Sequence, residues 1–165
     1  MTPNLMEDDI KLKFIEVYNL TMKDRKRIIQ DSTEMIELLA DTTQLEQDID
    51  TLRDELIVTS ELVNKLIKEN SKSSMSQDEY NKKYDELTNR YEKTKQKQQE
   101  FIEARSNMKA QALDMKSFIS NLKQVEDKLS DWNEHIWMLM VNSAVVHRDA
   151  SITFKLNNGK EITSL

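Results

Sequence analysis

The chain has 165 residues, enough for one domain and a small appendage. One Gly, one Pro and no Cys exclude a turn-dense compact fold, disulfides, Cys-ligated zinc and Cys nucleophiles within these residues. Charged residues make up 33% and the hydrophobic set 38%, the net charge is −6 and the mean hydropathy is −0.71. That balance suits long helices that bury one narrow stripe. It also argues against a surface given over to nucleic acid. No apolar run of about 18 residues exists to span a membrane, and MTPNLMEDDIK has no basic, apolar leader pattern, so the expected location is cytoplasmic.

The first expected helix opens on Asn4, with Glu7 completing a capping box and Asp8 and Asp9 favoured by the helix dipole. Ile10, Phe14 and Val17 follow at helical spacing. The stripe lapses from about Asn19 to Asp24, where Thr21 and Asp24 replace apolar residues, and a hinge is expected there.

From Ile28 a heptad begins: Ile28, Asp31, Met35, Leu38, Thr42, Leu45, Ile49, Leu52, Leu56, Thr59, Val63 and Leu66. Nine of these twelve are apolar, which marks a coiled coil. A helix from Ser32 to Asn70 would run roughly 58 Å. The polar stretch from Asn70 to Ser76 breaks the pattern, and Ser76 with Glu79 forms a capping box for the next helix. A second heptad runs through Tyr80, Tyr84, Leu87, Tyr91, Thr94, Gln98, Phe101, Arg105, Met108, Ala112, Met115, Ile119 and Leu122. Two matched stripes joined by a short loop bury each other as an antiparallel hairpin within one chain. Thr42, Thr59, Thr94, Gln98 and Arg105 weaken the middle of its seam.

Past Leu122 the composition changes. Asp131 with Glu134 reads as a helix start, followed by Trp132, Ile136, Trp137, Leu139 and Met140. Val145 to Arg148 and Ile152 to Leu156 read as strands, the latter alternating Ile152, Phe154 and Leu156 against Thr153 and Lys155. Asn158-Gly159 signals a type I′ turn into a returning strand at Glu161 to Thr163. The expected fold is therefore mainly α: a long antiparallel coiled-coil hairpin, then a short helix and a small β-hairpin. The expected divisions are 1–27, 28–122 and 123–165.

No catalytic constellation is visible. His135 and His147 have no second ligand at metal spacing, and a single Gly forbids any Gly-rich phosphate loop. Two features stand out. Ile57, Val58, Leu62 and Ile67 occupy heptad positions off the seam and, with Met75 in the loop, form an apolar patch near the hairpin tip. Val63, Leu66, Tyr80 and Tyr84 extend this candidate contact site. Lys23, Arg25, Lys26 and Arg27 cluster at the hinge as a candidate phosphate contact.

The segment TPNLMEDDIKLKFIEVYN resembles the stretch after the last zinc-ligand Cys of large serine recombinases, the class that includes phage integrases and mobile-element recombinases. LVNKLIKENSKSSMSQDEYNKKYDELTNRYE resembles their coiled-coil insertion. IWMLMVNSAVVHRDASITFKLNNGKEI is similar to their closing Trp helix, Val-rich strand and strand–turn–strand. The resemblance implies that Ile28 to Leu122 is the arm, with its tip near Val63 to Tyr84. It implies that Asn4 to Val17 and Asp131 to Leu165 are the remainder of a zinc-ribbon domain, as part of a larger protein. The catalytic domain and every zinc-ligand Cys are lacking, so no cofactor is expected here and zinc belongs to the parent domain alone. The implied role is non-catalytic: an arm that self-associates through its tip to support synapsis and control the direction of DNA integration. Its implied partners are other recombinase subunits and a directionality factor, with DNA held by the missing domains. The competing readings are a DNA-backbone-binding fragment and a stand-alone coiled-coil adaptor.

Overall fold

The computed structural model describes residues 6–72 and 75–164. In chain order the elements are α1 (Glu7–Lys23), α2 (Arg25–Ala40), α3 (Thr43–Asn70), α4 (Gln77–Gln124), α5 (Glu134–Met140), β1 (Val141–Val146), β2 (Ile152–Leu156) and β3 (Glu161–Ser164). The fold is mainly helical with a small three-stranded antiparallel sheet at its C-terminal end. The chain divides into two compact units, one of Met1–Ala40 with Ala110–Leu165 and one of Asp41–Lys109. These boundaries differ from the expected 28–122: residues 28–40 and 110–122 belong with the sheet.

The unit Asp41–Lys109 is a helical hairpin. Its antiparallel register is set by the ion pairs Glu46 to Lys109 (3.5 Å) and Glu55 to Arg90 (3.0 Å), and by Gln98 Nε2 donating to the Ile49 carbonyl (3.2 Å). Thr42, just before α3, is buried, as are Ile49, Leu52, Thr59 and Leu66 on α3 and Thr94 on α4. The expected heptad therefore holds from Thr42 onward. α3 stops at Asn70, where the last carbonyls are met by Ser71 and Lys72 N–H, and α4 starts at Gln77 with Ser76 Oγ accepting Glu79 N–H at 3.2 Å. Residues 73 and 74 of the expected turn lie outside the described residues.

Before Thr42 the heptad fails. Asp31, Met35 and Leu38 face solvent, and Leu38 is 68% exposed. Ile28 is buried as expected, but Ser32, Ile36 and Leu39 take the inward places of the later positions, with Ile29 half-buried beside them. Their spacing is that of a straight globular helix rather than of a supercoil. The expected single helix from Ser32 to Asn70 is also interrupted at Asp41–Thr42. Asp41 Oδ1 accepts Thr43 N–H (3.2 Å) and Thr42 Oγ1 bonds Glu46 Oε1 (3.0 Å), so local side-chain bonds replace the helical ladder. Those bonds hold both carboxyls below their usual range, chiefly through the Thr43 and Thr42 contacts.

The other unit is built around Phe14, whose ring lies 5.0 Å from Trp137, 5.7 Å from Trp132, 6.2 Å from Phe154 and 6.0 Å from Tyr18. Val17, Met22, Ile28, Phe118, Leu122, Leu129, Ile136, Met140, Val141, Ile152 and Leu156 complete this core. The Asn4 cap lies outside the described residues. α1 opens at Glu7, where Asp9 Oδ2 accepts Met6 N–H at 3.0 Å. The polar lapse at Asn19–Asp24 has a structural use. Asn19 exchanges two 2.9 Å hydrogen bonds with the Leu129 backbone, the Tyr18 hydroxyl donates to the Glu126 carbonyl, and Arg25 pairs with Asp127. These bonds fasten the irregular segment after α4 to α1 and to the start of α2. A single residue, Asp24, separates α1 from α2.

The C-terminal end shows three further departures. Asn133, not Asp131, caps α5, its Oδ1 accepting Ile136 N–H at 3.1 Å. β1 begins at Val141, directly after α5, so His147 and Arg148 fall in a turn rather than in the expected strand. The turn at Asn158-Gly159 is not type I′, since only Gly159 has positive φ (+84°). Gly159 N–H donates to Leu156 O and Leu156 N–H to Lys160 O, both at 2.8 Å, which is a type I turn closed by a Gly bulge. The turn at His147–Ser151 repeats this plan with Ala150, φ 66°, in the Gly position.

Candidate interaction surface at the hairpin tip

Within α3 the seam positions Leu56, Thr59, Val63 and Leu66 lie on one stripe, which directs Ile57 and Val58 to the opposite side. Ile57 is 53% exposed and Val58 51%. Leu62 and Ile67 flank the seam and are also exposed. The nine expected tip residues thus separate into classes. Ile57, Val58, Leu62, Ile67 and Tyr84 are exposed; Val63, Met75 and Tyr80 are half-buried; Leu66 is buried in the seam and unavailable to a partner. Tyr80 and Tyr84 stack with ring centres 5.9 Å apart, one helical turn from each other on α4.

Charge surrounds this apolar surface. Glu79 accepts from Lys83 at 2.7 Å, which lowers the Glu79 carboxyl and raises the Lys83 ammonium from their ordinary values. Lys65 lies 3.8 Å from Glu69. An open groove near the tip brings Met75 beside Lys68 and Lys72, and a second places Leu62 on α3 near Leu87 on α4. Apolar side chains ringed by both signs of charge are equipped to bind a protein surface reversibly, because the rim pairs and the apolar centre is desolvated.

The four cations of the expected phosphate site are not equivalent. Arg25 is held by Asp127, and Arg27 Nε is 3.8 Å from Asp31 Oδ2, while Lys23 and Lys26 are exposed. His147 Nε2 bonds Thr153 Oγ1 at 2.8 Å, and Thr153 Oγ1 is 2.8 Å from Thr163 Oγ1 on the outer face of the sheet. Among the described residues no group of three or more His, Cys, Asp or Glu is placed to hold a metal ion, and no helix is long and apolar enough to cross a membrane.

Sequence reasoning missed the exposed apolar residues of the sheet end, Met138, Val145 and Val146. Their signal was the uncharged run Val141–Val146, whose strand assignment started four residues too late. Comparisons with protein-family models, with curated proteins and with solved structures found no match to this chain.

Proposed function

We propose that this chain is a non-catalytic protein-interaction arm of a site-specific DNA recombinase of the large serine class. It self-associates through the hairpin tip to support synapsis and control recombination direction. The observation that carries the self-association is the exposure of Ile57 and Val58 on the face of α3 away from the seam. The assignment to a recombinase rests on the resemblance of the arm and its flanks. Its partners are the arms of other recombinase subunits and a directionality factor, with DNA contacted by other domains.

Burying one aliphatic side chain is worth about 1.5–3 kcal/mol. Association costs about 4–15 kcal/mol before any gain shows. A patch of this size therefore yields micromolar or weaker binding, suited to arms already held near each other by DNA-bound domains. Sedimentation of the double variant Ile57→Asp/Val58→Asp tests the reading. Helicity and melting should stay near the original values while self-association weakens. Undiminished association removes the tip from the contact, and unfolding places both residues in the core. DNA synapsis by a parent recombinase carrying the same changes tests the recombinase assignment separately.

A further inference from the structure

A second surface lies in the C-terminal sheet. In the three-stranded sheet β2 is central, and β1 forms one outer edge. Among the described residues no strand pairs with the other side of β1. His147 N–H donates to Ser151 O at 2.9 Å, and Val145 opposes Thr153 while Ser143 opposes Lys155. Antiparallel partners alternate between bonded and non-bonded pairs. Ser143 and Val145 therefore bond β2, and Ala144 and Val146 turn their N–H and C=O groups to the open edge.

Edge strands are ordinarily protected by charge, Pro or a covering element. β1, with the sequence VNSAVV, has neither charge nor Pro in a chain that is 33% charged. Residues 142–146 are all exposed, Val145 by 54%. The opposite edge differs: β3 carries Glu161 and lies against α1.

We infer that the β1 edge pairs with β1 of a second copy of this chain, antiparallel about a two-fold axis near Ala144, extending the sheet across both copies. Two arguments select this occupant. The open groups of Ala144 and Val146 are satisfied by an extended backbone. The edge is also neutral and self-complementary: the two-fold sets Ala144 against Ala144, Ser143 against Val145 and Asn142 against Val146, with no like charges opposed. The chain carries a net charge of −6, so an uncharged edge lets two copies meet without adding to their mutual repulsion. One strand pair buries far less than the about 1,200 Å² of a stable interface, so the dimer is weak and concentration-dependent.

The test uses the full chain carrying Ile57→Asp/Val58→Asp, which removes the tip contact and leaves the sheet intact. Sedimentation across micromolar to millimolar concentration should show a monomer–dimer equilibrium. Amide exchange at Ala144 and Val146 should slow as concentration rises. Ala144→Lys sets like charges across the axis and should weaken the dimer tenfold or more. An equimolar mixture with Ala144→Glu should restore it. Ala144→Pro removes an outward N–H without breaking a bond to β2, and it should also weaken the dimer with far-ultraviolet circular dichroism unchanged. A tip variant that stays monomeric throughout overturns the inference. So does a dimer indifferent to both Ala144 changes, which would place the contact on another surface.

Discussion

Replacing Ala150 by Gly should stabilise the protein. Ala150 has φ 66° in the His147–Ser151 turn, and the equivalent position of the Leu156–Lys160 turn is Gly159 at φ +84°. An L-residue in the left-handed region costs about 1–2 kcal/mol through crowding of its Cβ. Gly removes that cost, while its freer unfolded chain returns about 0.4–1 kcal/mol. The net gain is about 0.5–1 kcal/mol, worth roughly 1–4 °C in melting temperature for a chain of this size. The converse change at Gly159 isolates the backbone effect, because a Cβ added there meets no atom within 4 Å. Gly159→Ala should therefore destabilise by a similar amount. The turns sit at opposite ends of β2 and share no bond, so the double variant should melt within about 0.5 kcal/mol of the original. Thermal and urea unfolding of the three variants measure this. A lower melting temperature for Ala150→Gly, or a higher one for Gly159→Ala, refutes the reasoning.

Burial pushes the Tyr18 hydroxyl up to about 12, with the Arg25 guanidinium opposing it in part. The folded value exceeds the ordinary 10, so stability is complete below pH 10 and falls as pH rises toward 12. Melting of Tyr18→Phe should be flatter than that of the original across pH 10–12, and tyrosinate absorbance should show one of the four tyrosines ionising late. Phe14→Ala removes the centre of the aromatic cluster and should cost about 3–5 kcal/mol, with loss of the near-ultraviolet signal of Trp132 and Trp137. Thr59 is fully buried in the seam with its hydroxyl bonded to the Glu55 carbonyl. Thr59→Val fits the same volume without a buried hydroxyl and should raise hairpin stability by about 0.5–1 kcal/mol, read from unfolding curves.

The hairpin was legible because it follows from local rules. A 3.5-residue period, a polar break after Asn70 and a Ser76 cap specify two helices that turn back on each other, whatever else surrounds them. The off-seam positions of Ile57 and Val58 were legible for the same reason, since their phase follows from the seam itself. The limits of the coiled coil were a tertiary decision. Met35 and Leu38 keep the heptad in the sequence, yet α2 buries Ser32 and leaves them exposed, because residues 28–40 belong with the sheet and the helix is interrupted at Asp41–Thr42. Asn19 looked like a gap in a stripe, and its use became visible only with Leu129, 110 residues away, placed against it. The open edge of β1 has the same origin. A sequence gives each strand's alternation, but which strand ends a sheet is set by pairing between distant segments, and that pairing leaves Ala144 and Val146 facing outward.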